Sequence, residues 1–188
     1  VVIHSLDFDQ TLEFDLASFS KQDHSWLEYV KGIAWALQDS GLELKGWQGV
    51  MQGDVPIGAG LSSSAGLELA TARAFACVSG FEWDAVKMAK LSQRAENKWV
   101  GVNCGIMDQL ISATGQADHV VLIDCRSLEP TPVSLPAGCS IAVLDTATRR
   151  GLASSAYNER RSQCETAAAL FGVHYLRDVT VEQFEARQ

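Results

Sequence analysis

The chain has 188 residues, of which 47% are hydrophobic and 20% are charged, and its formal net charge at pH 7 is -8. This composition is typical of a folded enzyme and argues against a disordered chain. The acidic balance also argues against a nucleic-acid partner, because such binding requires lysine and arginine to neutralise phosphates.

The cysteines and the apolar runs indicate a cellular compartment. There are five widely spaced cysteines without any Cys-x-x-Cys pair, at positions 77, 104, 125, 139 and 164. This odd number predicts reduced thiols rather than a disulfide framework or a zinc site. No apolar run is as long as a membrane span, and the first residues lack the basic and apolar regions of a signal peptide. We therefore expect a cytoplasmic protein with no membrane partner.

The first part of the chain predicts short strands around one helix. Alternating apolar residues and flanking turns predict strands at residues 1–3, 11–16 and 46–52. Apolar residues recur with helical spacing from Trp26 to Leu37, and Ser40 and Gly41 end that helix. The third strand leads into a glycine-rich loop.

The remaining elements predict a mixed fold. Helical spacing predicts helices at residues 62–79, 83–98, 106–114 and 152–171, and apolar runs predict strands at 119–125 and 140–146. Near the end, Thr180 and Gln183 suit a capping box that opens a last helix. Helices and strands mix without strict alternation, which favours an α+β fold over a doubly wound sheet.

The stretch PIGAGLSSSAGLELA, from Pro56 to Ala70, predicts a phosphate site. A helix amino terminus presents unpaired N–H groups and a partial positive charge, so it can hold phosphate oxygens without a lysine. Glycine permits close backbone approach, serine hydroxyls donate hydrogen bonds, and one hydroxyl can bind Mg²⁺. The residues that carry this argument are Gly58, Gly60, Ser62, Ser63 and Ser64. A tight turn with a serine cap is the alternative that this pattern alone leaves open.

A second motif, CGIMDQ at residues 104–109, is followed by HVVLIDCRSLE at residues 119–129. Together with PIGAGLSSSA, these stretches resemble the galactokinases, a family of the GHMP small-molecule kinases, over nearly the whole chain. The resemblance implies an incomplete GHMP-kinase amino-terminal domain with an α+β fold like that of a ribosomal-protein domain. It implies an ATP- and Mg²⁺-dependent enzyme of galactose metabolism that phosphorylates the anomeric hydroxyl of galactose.

The resemblance also assigns site residues. Asp108 matches a catalytic base or electrostatic partner of the sugar hydroxyl, and Glu96 and Ser64 match the ligands of Mg²⁺. The remaining matches are Leu61 and Ala65 in the phosphate loop, Trp26 and Tyr29 near the adenine, and Cys104, Gly105 and Tyr157 with Asp108 at galactose. Taken singly, each has a structural alternative. Asp108 could serve a helix dipole, Glu96 could be a solvated helix residue, and the aromatic residues could be core.

Two signatures of the family are not found in the 188 residues. One is an amino-terminal loop of the Arg-Val-Asn-Leu-Ile-Gly-Glu-His type, and the other is a glycine-rich third motif. We therefore expect the central part of a kinase, with residues 1–150 mostly ATP-binding domain and 151–188 beginning the connection to a carboxy-terminal domain. Without the loop's arginine, which stabilises the transferring phosphoryl group, the isolated part is expected to be inactive. Uncovered apolar surface is expected to make it self-associate.

Two further functions remain open at this point. One is a non-catalytic sensor of galactose and ATP on the same scaffold. The other is a sibling kinase that acts on a different sugar, such as N-acetylgalactosamine. The intact run Ser62-Ser63-Ser64-Ala65 favours a kinase, because a sensor tolerates damage to a phosphate loop and a kinase does not.

Overall fold

A computed structural model describes residues 1–22, 25–145 and 155–187, with the side chains of 155–157 left out. The chain separates into two compact units, Val1–Arg149 and Arg150–Gln188. The functional division expected between residues 1–150 and 151–188 stays a prediction.

The first unit begins with a mixed sheet in the order β2-β1-β3. Its strands are β1 (Val2–Ser5), β2 (Gln10–Glu13) and β3 (Gln48–Met51). β1 pairs antiparallel with β2, which places Ile3 opposite Leu12, and parallel with β3, which places Ile3 opposite Gly49. The parallel pair requires a crossover connection, and the first helix lies in it.

Four α-helices form the core of this unit: α1 (Leu27–Asp39), α2 (Ser63–Ser79), α3 (Ala85–Ala95) and α4 (Met107–Thr114). Apolar side chains from α1, α2 and α3 pack together, including Ile33, Leu37, Phe75 and Met88. Asp84 caps α3 by accepting a hydrogen bond from the backbone N–H of Lys87. α3 continues into a π-helix at Glu96–Val100, so the helix predicted for 83–98 is observed with a change of winding.

The second sheet differs from the sequence prediction. β4 (His119–Ile123) pairs antiparallel with β5 (Pro130–Ser134), a strand that the apolar pattern did not predict because Pro130 and Pro132 interrupt it. The strand predicted at 140–146 is wrong over residues 140–145, which form no strand, and residue 146 lies outside the described ranges. An apolar run becomes a strand only where a neighbour takes its backbone hydrogen bonds, and no described strand pairs with it.

The second unit contains α5 (Ser155–Leu170), a 3-10 helix (Leu176–Asp178) and α6 (Val181–Glu185). The capping box predicted for α6 is confirmed. Thr180 Oγ1 accepts from the Gln183 backbone N–H at 3.2 Å, and Gln183 Oε1 accepts from the Thr180 N–H at 2.9 Å. The first residues of the predicted long helix, 152–154, lie outside the described ranges.

Two further predictions concern thiols and membranes. Cys77, Cys125, Cys139 and Cys164 are exposed, Cys104 is partly buried, and none of the five is in a disulfide. Across the described ranges, every helix is too short or too polar to cross a membrane.

Candidate active site

The glycine loop, residues 56–62, ends at an open helix amino terminus. Gly58 and Gly60 have φ angles of 73° and 76°, in the left-handed region that glycine tolerates. Ser62, the residue before α2, also has a left-handed φ of 62°, and its side chain makes no capping hydrogen bond. The structure therefore does not support the serine-cap alternative. A left-handed serine costs about 1 kcal/mol or more, and such strain is typical of functional sites.

The residues beside this helix start differ in what they can offer a phosphate. Ser63 and Ser64 are partly buried and Leu61 is exposed, whereas Ala65 is fully buried. Ala65 can therefore contribute only its backbone N–H to a ligand. The hydroxyls of the serines remain the side-chain donors at this end of α2.

Side chains from α2 and its neighbours form an acidic network. Its members are Glu68, Glu96, Cys104 and Gln109. Glu68, Glu96 and Gln109 are buried, and they come from α2, the π-helix and α4 respectively. Gln109 Nε2 donates to Glu96 Oε2 at 2.6 Å and to Glu68 Oε2 at 3.2 Å. The Cys104 thiol donates to Glu96 Oε2 at 3.2 Å. The Glu96 carboxylate is thus held by an amide and a thiol.

The two expected Mg²⁺ ligands are in contact, because the Ser64 hydroxyl hydrogen-bonds the Glu96 side chain. Burial raises the pKa of Glu96 above its usual value, against hydrogen bonds from Cys104, Ser64 and Gln109, and the charge of Asp108 raises it further. A bound cation would relieve this destabilisation of the carboxylate.

The donor chemistry of Ser64 and Glu96 fits Mg²⁺, which takes few protein oxygens and keeps waters and phosphate oxygens as its other ligands. In the part of the chain that the structure describes, no group of three or more His, Cys, Asp and Glu side chains is arranged to hold a metal ion. A magnesium ion here would therefore depend on the nucleotide for part of its coordination.

Asp108, the expected catalytic residue, lies in the first turn of α4 and is partly buried. Its negative charge contributes to the raised pKa values of both Glu96 and Glu68, after the larger effect of burial. Asp108 is therefore close enough to the acidic network for its charge to act on both glutamates. Ser64 and Asp108, which the sequence assigned to one site with Glu96, each act on the Glu96 carboxylate, Ser64 through a hydrogen bond and Asp108 through its charge.

The two residues expected near the adenine have different surroundings. Trp26 stacks on Phe8 with ring centroids 6.3 Å apart, and its Nε1 donates to Gln10 Oε1 at 3.1 Å. Tyr29 faces the acidic network instead: burial raises the pKa of its hydroxyl, and the charges of Glu96 and Glu68 raise it further. Both are only partly buried, whereas core positions of α1 such as Val30 are fully buried.

The residues expected at galactose are only partly described. Cys104 is partly buried, and its thiol also donates to Asn97 Oδ1 at 3.3 Å. Gly105 is exposed next to it. Tyr157 belongs to α5, and its side chain lies outside what the structure describes.

Sequence reasoning missed a buried ion pair that anchors the π-helix. Lys31 Nζ and Glu28 Oε1, both on α1, are 2.9 Å apart, and both side chains are buried. Glu28 Oε2 also accepts from Trp99 Nε1 of the π-helix at 2.8 Å. This contact fixes the segment that begins with Glu96. Two charged residues inside an apolar helical stripe were the available signal.

Glu68 and Gln109 were also missed as site residues. Gln109 was quoted within CGIMDQ without a role, and Glu68 follows Ser64 by one helical turn. A buried acid one turn from a phosphate-loop serine was the available signal, but burial at that position depends on three helices meeting.

Comparisons with known proteins show which sequences and folds this chain resembles. Residues 28–116 match the family described as GHMP kinases N terminal domain. A galactokinase of Actinobacillus pleuropneumoniae serotype 5b (strain L20) is 44% identical over 187 residues, which cover 98% of this chain and 49% of that protein. A galactokinase of Actinobacillus succinogenes is 42% identical over 189 residues, which cover 99% of this chain and 49% of that protein.

A solved structure gives the same result. The crystal structure of Lactococcus lactis galactokinase complexed with galactose superposes with a TM-score of 0.84 at 29% identity, over 100% of this chain and 50% of that one. The chain thus spans about half the length of the curated relatives it matches. Sequence and fold thus both match this chain to the galactokinases among the GHMP kinases.

Proposed function

We propose that this chain is the central part of a galactokinase, which transfers the γ-phosphoryl group of ATP to the anomeric hydroxyl of galactose. The observation that carries the proposal is the convergence of Ser64, Glu96 and Asp108 beside the open amino terminus of α2. The similarity to galactokinases over 98% of the chain supports the choice of sugar.

The amino terminus of α2 binds the phosphates of ATP in this proposal. The left-handed Gly58, Gly60 and Ser62 turn the backbone so that N–H groups of the helix start are left for an external acceptor. The hydroxyls of Ser62, Ser63 and Ser64 add donors around the same position. Leu61 and Ala65 contribute backbone only.

Glu96 and Ser64 would hold Mg²⁺, and the ion, when bound, neutralises phosphate charge. Glu96 presents its carboxylate next to the Ser64 hydroxyl. Gln109 and Cys104 hold that carboxylate through Oε2.

Asp108 accepts the proton of the anomeric hydroxyl as its oxygen attacks the γ-phosphorus of ATP. The new bond joins the sugar oxygen to phosphorus, the bond from the γ-phosphorus to the β–γ bridging oxygen breaks, and ADP leaves. The products are galactose 1-phosphate and ADP, with the proton on Asp108. A positioned carboxylate suits this chemistry, because phosphoryl transfer depends mainly on orientation and charge.

Aromatic and small residues complete the site in this proposal. The stack of the partly buried Trp26 on the exposed Phe8 offers a flat apolar surface suited to an adenine ring, and Tyr29 lies on the side of the acidic network. Cys104 and Gly105 line the galactose site in this proposal, whereas Tyr157 is assigned to galactose by the family resemblance alone. We also propose a cytoplasmic location, where ATP is present and thiols stay reduced.

Asp108→Asn in the full-length protein tests the assignment. The substitution keeps the shape of the side chain but removes the proton acceptor. We expect turnover, measured as galactose-dependent ADP release, to fall by about 10²- to 10⁴-fold. ATP binding measured by calorimetry should change little. An unchanged turnover number would remove Asp108 from the mechanism.

The unsubstituted full-length protein decides among the three functions. Saturable formation of galactose 1-phosphate is the expected result. Binding of galactose and ATP without any product would indicate the sensor instead. Preferential phosphorylation of N-acetylgalactosamine, in a competition with galactose in one assay, would indicate the sibling kinase.

A further inference from the structure

Gln109 joins two buried acids through one nitrogen atom. Its Nε2 carries two hydrogens and makes two hydrogen bonds to carboxylates, to Glu96 Oε2 at 2.6 Å and to Glu68 Oε2 at 3.2 Å. The same Nε2 also lies 3.7 Å from Cys104 Sγ, a longer contact, so the two shorter bonds to the acids set the direction of the amide. The planar amide allows little independent rotation of the two bonds.

Glu68 holds Gln109 from the other side. Glu68 is fully buried on α2, and Gln109 Nε2 donates to its Oε2. In the described part of the chain, Glu68 Oε1 and Gln109 Oε1 are buried without a hydrogen-bond partner. A buried acid with an unsatisfied oxygen destabilises the fold, so stability does not explain it.

The position of Glu68 excludes a direct role at the substrate. With no exposed surface, it cannot take part in the solvent-accessible coordination of a nucleotide-bound ion. Its hydrogen-bonded route to the site runs through Gln109 to the oxygen of Glu96 that also accepts from Cys104. Glu96 in turn contacts the Ser64 hydroxyl at the phosphate-binding end of α2.

We propose that Glu68 and Gln109 form a positioning pair, in which Glu68 orients the Gln109 amide and the amide orients the Glu96 carboxylate toward Ser64. The inference rests on the proposed function, because it assigns the pair to the metal–nucleotide site of the kinase. Groups that orient a metal ligand typically change metal affinity or activity by about 10- to 100-fold when they are removed.

Two substitutions of Glu68 separate hydrogen bonding from charge and volume. Glu68→Met keeps the length of the side chain and removes the acceptor for Gln109. Glu68→Gln removes the titratable carboxyl group but keeps an acceptor for Gln109. We expect Mg²⁺-dependent ATP binding, measured by calorimetry without sugar, to weaken about 10-fold or more in Glu68→Met. Glu68→Gln should bind ATP with Mg²⁺ to within about twofold of the affinity of the unsubstituted protein.

A double-mutant cycle tests whether Glu68 acts through Gln109. Gln109→Met should weaken Mg²⁺-dependent ATP binding as Glu68→Met does, and the double variant should be no weaker than Gln109→Met alone. ATP binding without Mg²⁺ should be similar in all variants. Additive effects, or a Glu68→Gln variant as weak as Glu68→Met, would overturn the proposal.

The metal-free, unsubstituted protein provides a readout that needs no variant and no turnover. Nuclear magnetic resonance of the ¹⁵N-labelled full-length protein should show Gln109 side-chain amide protons that exchange with water far more slowly than those of exposed glutamines. Exchange at the rate of exposed glutamines would also overturn the proposal. Failure of galactose phosphorylation would instead contradict the proposed function. The ATP-binding and amide-exchange measurements would still test whether Glu68 and Gln109 form a positioning pair.

Discussion

Cys104 shows how its neighbours determine the chemistry of one residue. It lies in the CGIMDQ motif, where the family resemblance implies a galactose site. Its thiol donates to Glu96 and Asn97. Burial raises the pKa of this thiol, and the charge and the hydrogen bond of Glu96 raise it further. The neutral thiol is therefore the stable form, and it serves as a donor to a carboxylate rather than as a nucleophile.

We predict that Cys104 reacts slowly with iodoacetamide at neutral pH, because alkylation requires the thiolate. Its rate should be at least about tenfold below that of the exposed Cys125, since each unit of pKa elevation reduces the thiolate tenfold. Mass spectrometry of peptides after timed alkylation measures both rates. In urea the two cysteines should react alike, and equal rates in the folded protein would contradict the prediction.

Glu68 predicts a dependence of stability on pH. Burial raises its folded-state pKa well above the usual value, and the charge of Glu96 raises it further, although the Gln109 hydrogen bond opposes the shift. The folded protein therefore keeps a proton that the unfolded chain releases above about pH 4.3. The stability that this proton contributes is fully present below that pH and is lost as pH rises through the raised pKa.

Glu68→Gln removes this titration. We expect the thermal midpoint of the metal-free unsubstituted protein to fall relative to that of Glu68→Gln as pH rises from 5 to 8. Glu96 and Asp108, the other acids around Glu68, are present in both proteins. Parallel pH profiles of the two thermal midpoints would contradict the raised pKa of Glu68.

At the scale of elements, two helical glycines meet different neighbours. A Cβ built on Gly66, in α2, meets nothing within 4 Å. A Cβ on Gly32, in α1, would lie 3.3 Å from the side chain of Trp99, which donates to Glu28. Gly32 therefore permits the close approach of α1 and the π-helix. At Gly66, by contrast, there is room for a larger side chain.

We predict that Gly66→Ala stabilises the protein by about 0.5–1 kcal/mol, because alanine loses less conformational freedom than glycine in a helix. Gly32→Ala should gain less or destabilise, since it pushes against Trp99. Thermal or urea unfolding of the two variants measures the difference. Equal stabilisation by both would contradict the packing of Trp99 against α1.

The elements also show what the sequence can and cannot predict. Helical spacing predicted α1, α2 and α4 closely, because a buried apolar stripe is a local property. β5 was missed because Pro130 and Pro132 interrupt its apolar pattern, and the strand at 140–146 was wrong over 140–145 because no described strand pairs with it. The π-helix could not be predicted, since one extra residue in a turn leaves no mark in the periodicity.

The same distinction applies to the candidate site. The glycine and serine loop and the CGIMDQ motif predicted Ser64, Glu96 and Asp108, which the structure brings together. Glu68 and Gln109 could not be assigned to the site from the sequence, because they meet only through the packing of α2, α4 and the π-helix. Tyr29 lies in α1 and Trp26 comes directly before that helix, but the contacts of Trp26 depend on β2 and those of Tyr29 on the acidic network.

At the scale of the whole molecule, apolar side chains remain uncovered in the first unit. Ile141, Val143 and Leu144 are 67%, 61% and 85% exposed. Contiguous exposed apolar surface of this kind is typical of an interaction site. The chain also spans only about half the length of its curated relatives.

We predict that the 188-residue chain self-associates and lacks galactose-dependent ATP turnover when produced alone. Sedimentation velocity should show species larger than a monomer, because apolar surface drives association. Replacing Ile141, Val143 and Leu144 by threonine should shift the distribution toward the monomer. A monomer at high concentration before any substitution would contradict the prediction.

The π-helix at Glu96–Val100 has a consequence for how homologous sequences can vary in length. A π-turn is equivalent to one residue added to an α-helix, so losing one residue here would restore ordinary winding at little local cost. Each residue of an α-helix advances the side chains by about 100°. A deletion in this segment would therefore rotate the Glu96 carboxylate away from Ser64. The resulting protein would still fold but would lose its catalytic activity.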